Sequence, residues 1–383
     1  MNETRVYADG FHTTFANAGE MLEFLAERTK TTKWIRKPTK SLRLVPLEKE
    51  SEQFEETKVA DMEEILEDTD RNTQLVLKIR GESYPVRSCA IKTILDRARI
   101  NGNGLRDLEK SNYAKVVNCC LRVAKGEALI KIADGKVSAV HGGDAGDYEV
   151  LNMQEVFELT MQYLNLNFPG TTYMEGSGTY DHLIVSAMWE LGGNQKLLDT
   201  YRQALEDHGL EDQSLAPALR LTTSDVAESG VNLFPMLLCK TGNRTISLGS
   251  PLRLSHRVKA DAANLALFHN NLKMICSRYT DAITDMTKLM DIEVRNPLNC
   301  LRLVMKKVGI KKKIINEVAQ LFEAQNGNVP CTAHDLYYAI NEASFFAACD
   351  GMQGHDIISL EENITRALAL DWTEYDVPGA IKW

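Results

Sequence analysis

The sequence predicts an α+β fold: a mixed or antiparallel sheet with helices, followed by an all-helical C-terminal subdomain. Three observations carry this expectation. Ala128 to Val140 holds two alternating apolar runs joined by Asp134-Gly135, a dipeptide favoured in type I′ hairpin turns because both central positions need positive φ. Three strand-like runs follow at 217–223, 231–239 and 245–249, with Gly230 and Thr241-Gly242-Asn243 as turns between them. After Pro251 the period changes, and from Ala260 to Leu289 apolar residues such as Leu265, Phe268, Leu272, Ile275, Tyr279 and Ile283 fall at helical spacing. Residues 73–250 are therefore expected to form the sheet-and-helix unit. Residues 256–371 should be almost wholly helical, with fewer than two strands beyond residue 260.

In chain order, residues 19–28 read as a short amphipathic helix through Met21, Leu22, Leu25 and Ala26. Thr29 to Pro46 shows neither helical nor clean strand periodicity, and residues 29–58 read as an exposed arm or linker. A compact unit begins at Thr73, where Gln74 to Ile79 alternates like a half-buried strand. Ser88 then reads as the N-cap of a helix carrying Ala90, Ile91, Ile94 and Leu95, which Asn101 to Gly104 ends. Beyond the hairpin, Asn152 and Glu155 resemble a capping pair ahead of a helix with Val156, Leu159, Thr160, Tyr163 and Leu164 on one face. A strand-and-turn region runs from Tyr173 through Gly176, Gly178 and His182 to Trp189. In the C-terminal third, Asn296-Pro297, Gly309 and Thr332 punctuate successive helices, and Ser359 with Glu362 reads as a capping box. No internal repeat or low-complexity tract is present. The domain reading is 1–72 as an N-terminal extension, 73–255 as the α+β domain and 256–383 as the helical subdomain.

The chain has 383 residues, 44% hydrophobic and 25% charged, which suits two domains with real cores. No apolar run approaches the roughly 18 residues of a membrane span and the first ten residues are polar, so a cytoplasmic protein with no membrane partner is expected. Cysteines at 89, 119, 120, 239, 276, 300, 331 and 349 lack paired spacing and read as buried free thiols of a reducing compartment. A net charge of -9 argues against a surface wholly given to nucleic acid. Its distribution is uneven. Arg28 to Leu47 contains seven basic residues and no acidic one, and an acid-rich stretch from Glu48 to Asp68 follows.

Glycine-rich turns at Gly142–Gly146 and Gly176–Gly178 have neither GxGxxG spacing nor a following Lys-Ser/Thr, and read as plain turns. The densest set of metal-ligand types is Cys331, His334, Asp335, Cys349, Asp350, His355 and Asp356, but its spacing does not converge, so neither metal nor other cofactor is expected. There is no GxSxG and no cysteine with a neighbouring histidine. His256 reads as an edge-strand or loop histidine, and Ser224-Asp225 as turn residues that bond their own backbone. No catalytic residue is assigned. The basic segment is the candidate site: Lys30, Lys33, Arg36, Lys37, Lys40 and Arg43 for phosphates and Trp34 for stacking on an unpaired base. A second basic patch is Lys306-Lys307 with Lys311-Lys312-Lys313. The alternatives are that the first set pairs with the adjacent acidic stretch and that the second is a solvated helix end.

Three stretches resemble a phage- and plasmid-encoded family known by a domain-of-unknown-function label (the DUF-932 type). They are Tyr148-Glu149-Val150-Leu151-Asn152 with its helix, Leu219 to Asp225, and Thr332 to Glu342 with its Thr-Ala, Leu-Tyr and Glu positions. The likeness spans about residues 75–370 and departs where the family sets a histidine between the serine and aspartate. It implies a mobile-element protein in a bacterial cytoplasm. Together with the basic segment it gives a non-enzymatic, homo-oligomeric protein that binds or anneals single-stranded nucleic acid, or meets a host or phage protein. The alternatives are a structural or host-defence-interaction protein, and an enzyme whose dispersed site draws on His256, His334 and Asp335.

Overall fold

A computed structural model describes residues 5–48, 54, 61–101, 103–212, 214–242, 244–249, 251–254, 270 and 272–383. His256, the start of the helix expected from Ala260 and most of the acidic stretch after Glu48 lie outside these residues.

The first half of the chain runs β1 (His12–Phe15), α1 (Ala18–Thr31), β2 (Lys33–Pro38), β3 (Leu42–Pro46), α2 (Met62–Arg71), β4 (Leu75–Ile79), β5 (Glu82–Pro85), α3 (Ala90–Ala98), α4 (Lys110–Val123), β6 (Glu127–Ala133) and β7 (Lys136–Gly142). α1 starts on Asn17, whose side chain accepts the Glu20 N–H while Glu20 accepts the Ala16 N–H, so two first-turn donors are satisfied locally. α3 begins after Cys89 with no side-chain cap, one residue past the expected Ser88. The hairpin is present: Asp134 and Gly135 both have positive φ, 53° and 74°, between β6 and β7.

The expected arm is not an arm in its described part. β2 pairs with β6 from Lys33↔Ile132 to Pro38↔Glu127, and β3 pairs with β4 from Leu42↔Ile79 to Pro46↔Leu75. The two three-stranded sheets, ordered β2-β6-β7 and β3-β4-β5, share one apolar cluster with α3 and α4 that includes Leu44, Leu77, Ile94, Val117, Ile130 and Val140. β1, the earliest strand, belongs to the large sheet. Residues 1–72 are thus woven into the fold through their described part and form no separate extension.

The chain continues with α5 (Met153–Asn167), β8 (Thr171–Tyr173), β9 (Gly178–Asp181), β10 (Val185–Leu191), α6 (Asp199–Asp207), β11 (Leu215–Thr223), β12 (Val231–Cys239), β13 (Arg244–Ser247) and β14 (Leu252–Leu254). The large antiparallel sheet has eight strands, ordered β1-β9-β10-β11-β12-β13, with β8 on β10 and β14 on β12. β11 and β12 are buried along their whole length, so both are predominantly apolar on the two faces, with Arg220, Thr222 and Asn232 among the exceptions. Val231 and Leu233 belong to one apolar cluster with Leu25 of α1 and Phe157 of α5. Further along β12, Leu237 and Cys239 join the helical part instead.

That part comprises α7 (Ile275–Lys288), β15 (Glu293–Val294), α8 (Pro297–Lys307), α9 (Lys312–Asn326), β16 (Cys331–Thr332), α10 (Ala333–Asn341), α11 (Ala343–Cys349) and α12 (His355–Thr365). It is helical as expected, with one correction: β15 and β16 pair as two short strands beyond residue 260, because the Thr332 turn that starts α10 is tied back to the segment before α8. The capping box also sits elsewhere. Thr332 and Asp335 form it, whereas Ser359 and Glu362 lie inside α12, which has already started after Gly354. Tyr279, Leu301 and Leu336 pack with Leu237 and Ile246 of the large sheet in one cluster, so the helices complete the sheet's core rather than building their own.

Candidate nucleic-acid interface

β2 is an edge strand and presents Lys33, Arg36 and Lys37 from a fixed backbone, with Lys30 at the end of α1, Lys40 in the turn after β2 and Arg43 on β3. Lys30, Lys33, Arg36 and Lys40 are exposed, and Lys37 and Arg43 are half-buried. Lys30 lies 3.7 Å from Glu27, and the Arg43 guanidinium donates to the carbonyls of Lys40 and Leu42. Lys33, Arg36, Lys37 and Lys40 have no acidic partner among the described residues. Arg28 faces inward and gives a two-pronged contact to Asp134, one arm at 2.7 Å. Although burial opposes its charge, the Asp134 bond holds the guanidinium pKa above its usual value.

The surface continues onto α4. Asn118 closes the open edge of β3: its amide donates to Leu44 O at 2.6 Å and accepts from Leu44 N–H at 2.7 Å. Lys115 and Arg122, three residues before and four after Asn118, occupy the same helix flank and are exposed. They extend the cationic strip past β3, and the sequence reading missed them because nothing local links α4 to β3.

Trp34 behaves differently from the expectation of a free stacking platform. It sits opposite Lys131 across β2 and β6, facing the large sheet. Its half-buried ring stacks beside His141 at 5.9 Å and Tyr148 at 6.1 Å, and those two rings stack on each other at 3.8 Å. Trp34 also lines a cleft of about 170 Å³ with Arg28, Lys131, Asn152, Tyr180 and Asp225. Much of its stacking surface is spent on its own chain.

Beneath this surface lies a buried ionic layer. Lys131 pairs with Asp225 at 2.5 Å; Lys136, fully buried, pairs with Asp9 at 2.8 Å and with Asp68; and Arg87, also fully buried, lies 3.3 Å from Asp134. Four cations (Arg28, Arg87, Lys131, Lys136) face four carboxylates (Asp9, Asp68, Asp134, Asp225), so the layer is neutral and serves to fasten the small sheets to the large one. His182 sits in it uncharged: burial, reinforced by Arg87, pushes its pKa well below normal, and its Nε2 meets both the Arg87 guanidinium and, at 2.9 Å, the Ala8 carbonyl.

The other sequence candidates disperse. Among the described residues no three His, Cys, Asp or Glu side chains come together as a metal site. Asp335 serves the Thr332 cap, Asp350 pairs with Lys313, and the backbone N–H of His355 donates to Asp181. His334 Nε2 bonds the Tyr201 hydroxyl at 2.6 Å, and Tyr201 bonds Tyr338 at 2.8 Å. All eight cysteines are free, but Cys119, Cys276 and Cys349 are exposed, which corrects the expectation of buried thiols. Burial pushes the thiols of Cys89, Cys300 and Cys331 up to about 12, so they stay protonated at neutral pH. Ser224 Oγ accepts the Val226 and Glu228 N–H groups as a turn serine does, while Asp225 is the partner of Lys131. At Gly142 a Cβ would come within 2.3 Å of Asp147, so a carboxylate closes that glycine turn. In the second lysine patch, Lys312 lies over the Trp383 ring at 5.0 Å and Lys313 pairs with Asp350.

No described helix is long and apolar enough to cross a membrane. Comparison with protein-family models, with curated proteins and with solved structures finds no match for this chain.

Proposed function

We propose that this is a non-enzymatic protein of mobile-element type that binds single-stranded nucleic acid in the bacterial cytoplasm as a homo-oligomer, using the cationic strip of β2, β3 and α4. The observation that supports it best is the set Lys33, Arg36, Lys37 and Lys40, which lacks acidic partners among the described residues; the first three stand on a strand paired along its whole length and Lys40 on the turn that follows it. A phosphate backbone laid on such a strip releases counterions without the entropic cost of ordering a loose arm. Lys115 and Arg122 lengthen the strip beyond one strand. Because much of the Trp34 ring is engaged by His141 and Tyr148, the reading rests on the cations.

Fluorescence anisotropy with a labelled single-stranded oligonucleotide across a salt series tests this. Each phosphate contact on a single strand contributes about -0.7 to the slope of log K against log salt. Replacing Lys33, Arg36, Lys37 and Lys40 together by Ala should flatten the slope by about 2–3. Absence of binding at about 50 mM salt, where counterion release is most favourable, ends the proposal.

A further inference from the structure

The register of the large sheet sets one polar row across five strands. Thr14 of β1 faces Thr179 of β9, Thr179 faces Ser186 of β10, Ser186 faces Thr222 of β11, and Thr222 faces Asn232 of β12. Side chains directly opposite in neighbouring antiparallel strands share a face with Cβ atoms roughly 5 Å apart, so this is a continuous polar track of four hydroxyls and one amide. Two residues before Thr222 on the same face stands Arg220, paired across with Met188. A cleft of about 370 Å³ opens over this region, between the sheet and α12. Thr179, Ser186, Met188 and Arg220 line it from the sheet, and Ile357 and Glu361 from the helix.

Arg220 is the group that demands explanation. It is 9% exposed in a strand whose other residues are apolar or small, and its ion pair is with Glu361, whose side chain is 11% exposed. A guanidinium carries five N–H donors. Among the described residues no other partner engages them. Among those residues the Ser186 hydroxyl, on a residue 3% exposed, likewise has no partner, and neither does the fully buried Thr222 hydroxyl. Burial draws the Arg220 pKa down to about 10, partly offset by Glu362, which leaves the group charged at neutral pH and short of hydrogen-bond acceptors. Arg220 also acts electrostatically on Glu362, as do Arg253 and Arg366. The N-terminus of α12 at the cleft mouth is already taken, because Asp181 accepts the His355 N–H at 3.0 Å.

We propose that this cleft binds a small organic anion, its phosphate or carboxylate group held by the free donors of Arg220 and by the Ser186 and Thr179 hydroxyls. The planar guanidinium matches a two-oxygen acceptor, and Met188 and Ile357 offer an apolar wall for the rest of the molecule. The site does not depend on the cationic strip of β2, since it lies on the large sheet. Its phosphate could come from a free small molecule or from the backbone of a bound strand, and the chemistry of recognition is shared.

Isothermal titration of the full-length protein with phenyl phosphate, and with inorganic phosphate, tests the proposal. Saturable binding is expected in the wild type. Glu361→Gln removes the competing carboxylate and should tighten binding by roughly tenfold, while Ser186→Ala should weaken it several-fold. Arg220→Gln should abolish it. If that variant is unstable because Glu361 is left unpaired, the double variant Arg220→Gln/Glu361→Gln keeps the site neutral and should also fail to bind. A short single-stranded oligonucleotide that displaces phenyl phosphate assigns the site to backbone phosphate; failure to displace assigns it to a free anion. No saturable binding in either the wild type or Glu361→Gln, or binding unchanged in the double variant, overturns the proposal.

Discussion

At the scale of single residues, His334 offers the clearest consequence of burial. Burial is the main cause that lowers its pKa to about 4; the Asp335 carboxylate opposes this and His208 adds to it. An unfolded histidine titrates near 6.5, so between about 6.5 and 4 the unfolded chain takes up the proton first. The contribution is therefore fully present above about pH 6.5 and lost as the pH falls toward 4, by up to about 3 kcal/mol at 1.36 kcal/mol per unit. Urea unfolding of the wild type and His334→Gln at pH 7 and at pH 4 checks this. The wild type should lose about 3 kcal/mol more than the variant, and parallel losses would exonerate the imidazole. His182 contributes in the same direction in both proteins and cancels in the comparison. Lys136→Met should cost more, about 3–5 kcal/mol at pH 7, because it strands Asp9 and Asp68 without their shared cation. Neither role was legible locally. Lys136 opens the second run of the hairpin with nothing beside it to mark a buried ion pair, and its partners lie 127 and 68 residues away. Arg220 did leave a trace, as a lone charge inside the apolar run of β11, yet only the register shows what surrounds it.

Among the elements, the hairpin and the strands β11, β12 and β13 were legible because turn chemistry and burial speak in the same few residues. β2 was not, and the reason is physical. Lys33-Trp34-Ile35-Arg36-Lys37-Pro38 puts charges on both faces and ends on a residue with no N–H, the composition that keeps an edge strand from pairing further. The same features erase the alternation by which strands are recognised. β3 guards its edge differently, through the Asn118 amide. Asn118→Ala removes both bonds to Leu44 and should cost about 1–3 kcal/mol, measured by urea unfolding, and should raise light scattering as the β3 edge opens. A loss under 0.5 kcal/mol with no added scattering would show that water replaces the amide at no penalty. The misplaced capping box has a similar origin. Ser359-x-x-Glu362 and Thr332-x-x-Asp335 look alike, but the helix containing Ser359 has already been started upstream by the turn at Gly354, where φ is 50°.

For the molecule as a whole, the sequence showed the succession of a sheet-rich part and a helical part but not how early and late segments interleave. His12 pairs with Asp181, Lys33 with Ile132 and Leu42 with Ile79, so the first strands close sheets whose other strands come far later. Such pairings are set by long-range packing and leave no local pattern. The interleaving makes a sharp prediction about a chain that starts at Thr73. It would lack β1, α1, β2, β3 and α2. β4 and β6 would become bare edges, Lys136 would lose both Asp9 and Asp68, and Met21 and Leu25 would vanish from the cluster under β10 and β11. An unpaired buried cation and an opened core each exceed a few kcal/mol, against a total stability on the order of 5–15 kcal/mol. The fragment 73–383 should accordingly show helical far-UV circular dichroism but a collapsed near-UV signal and no sharp calorimetric transition. If residues 1–72 were a disposable extension, the fragment would keep its near-UV spectrum and melt within a few degrees of the full chain, and that result would refute the interlocked arrangement.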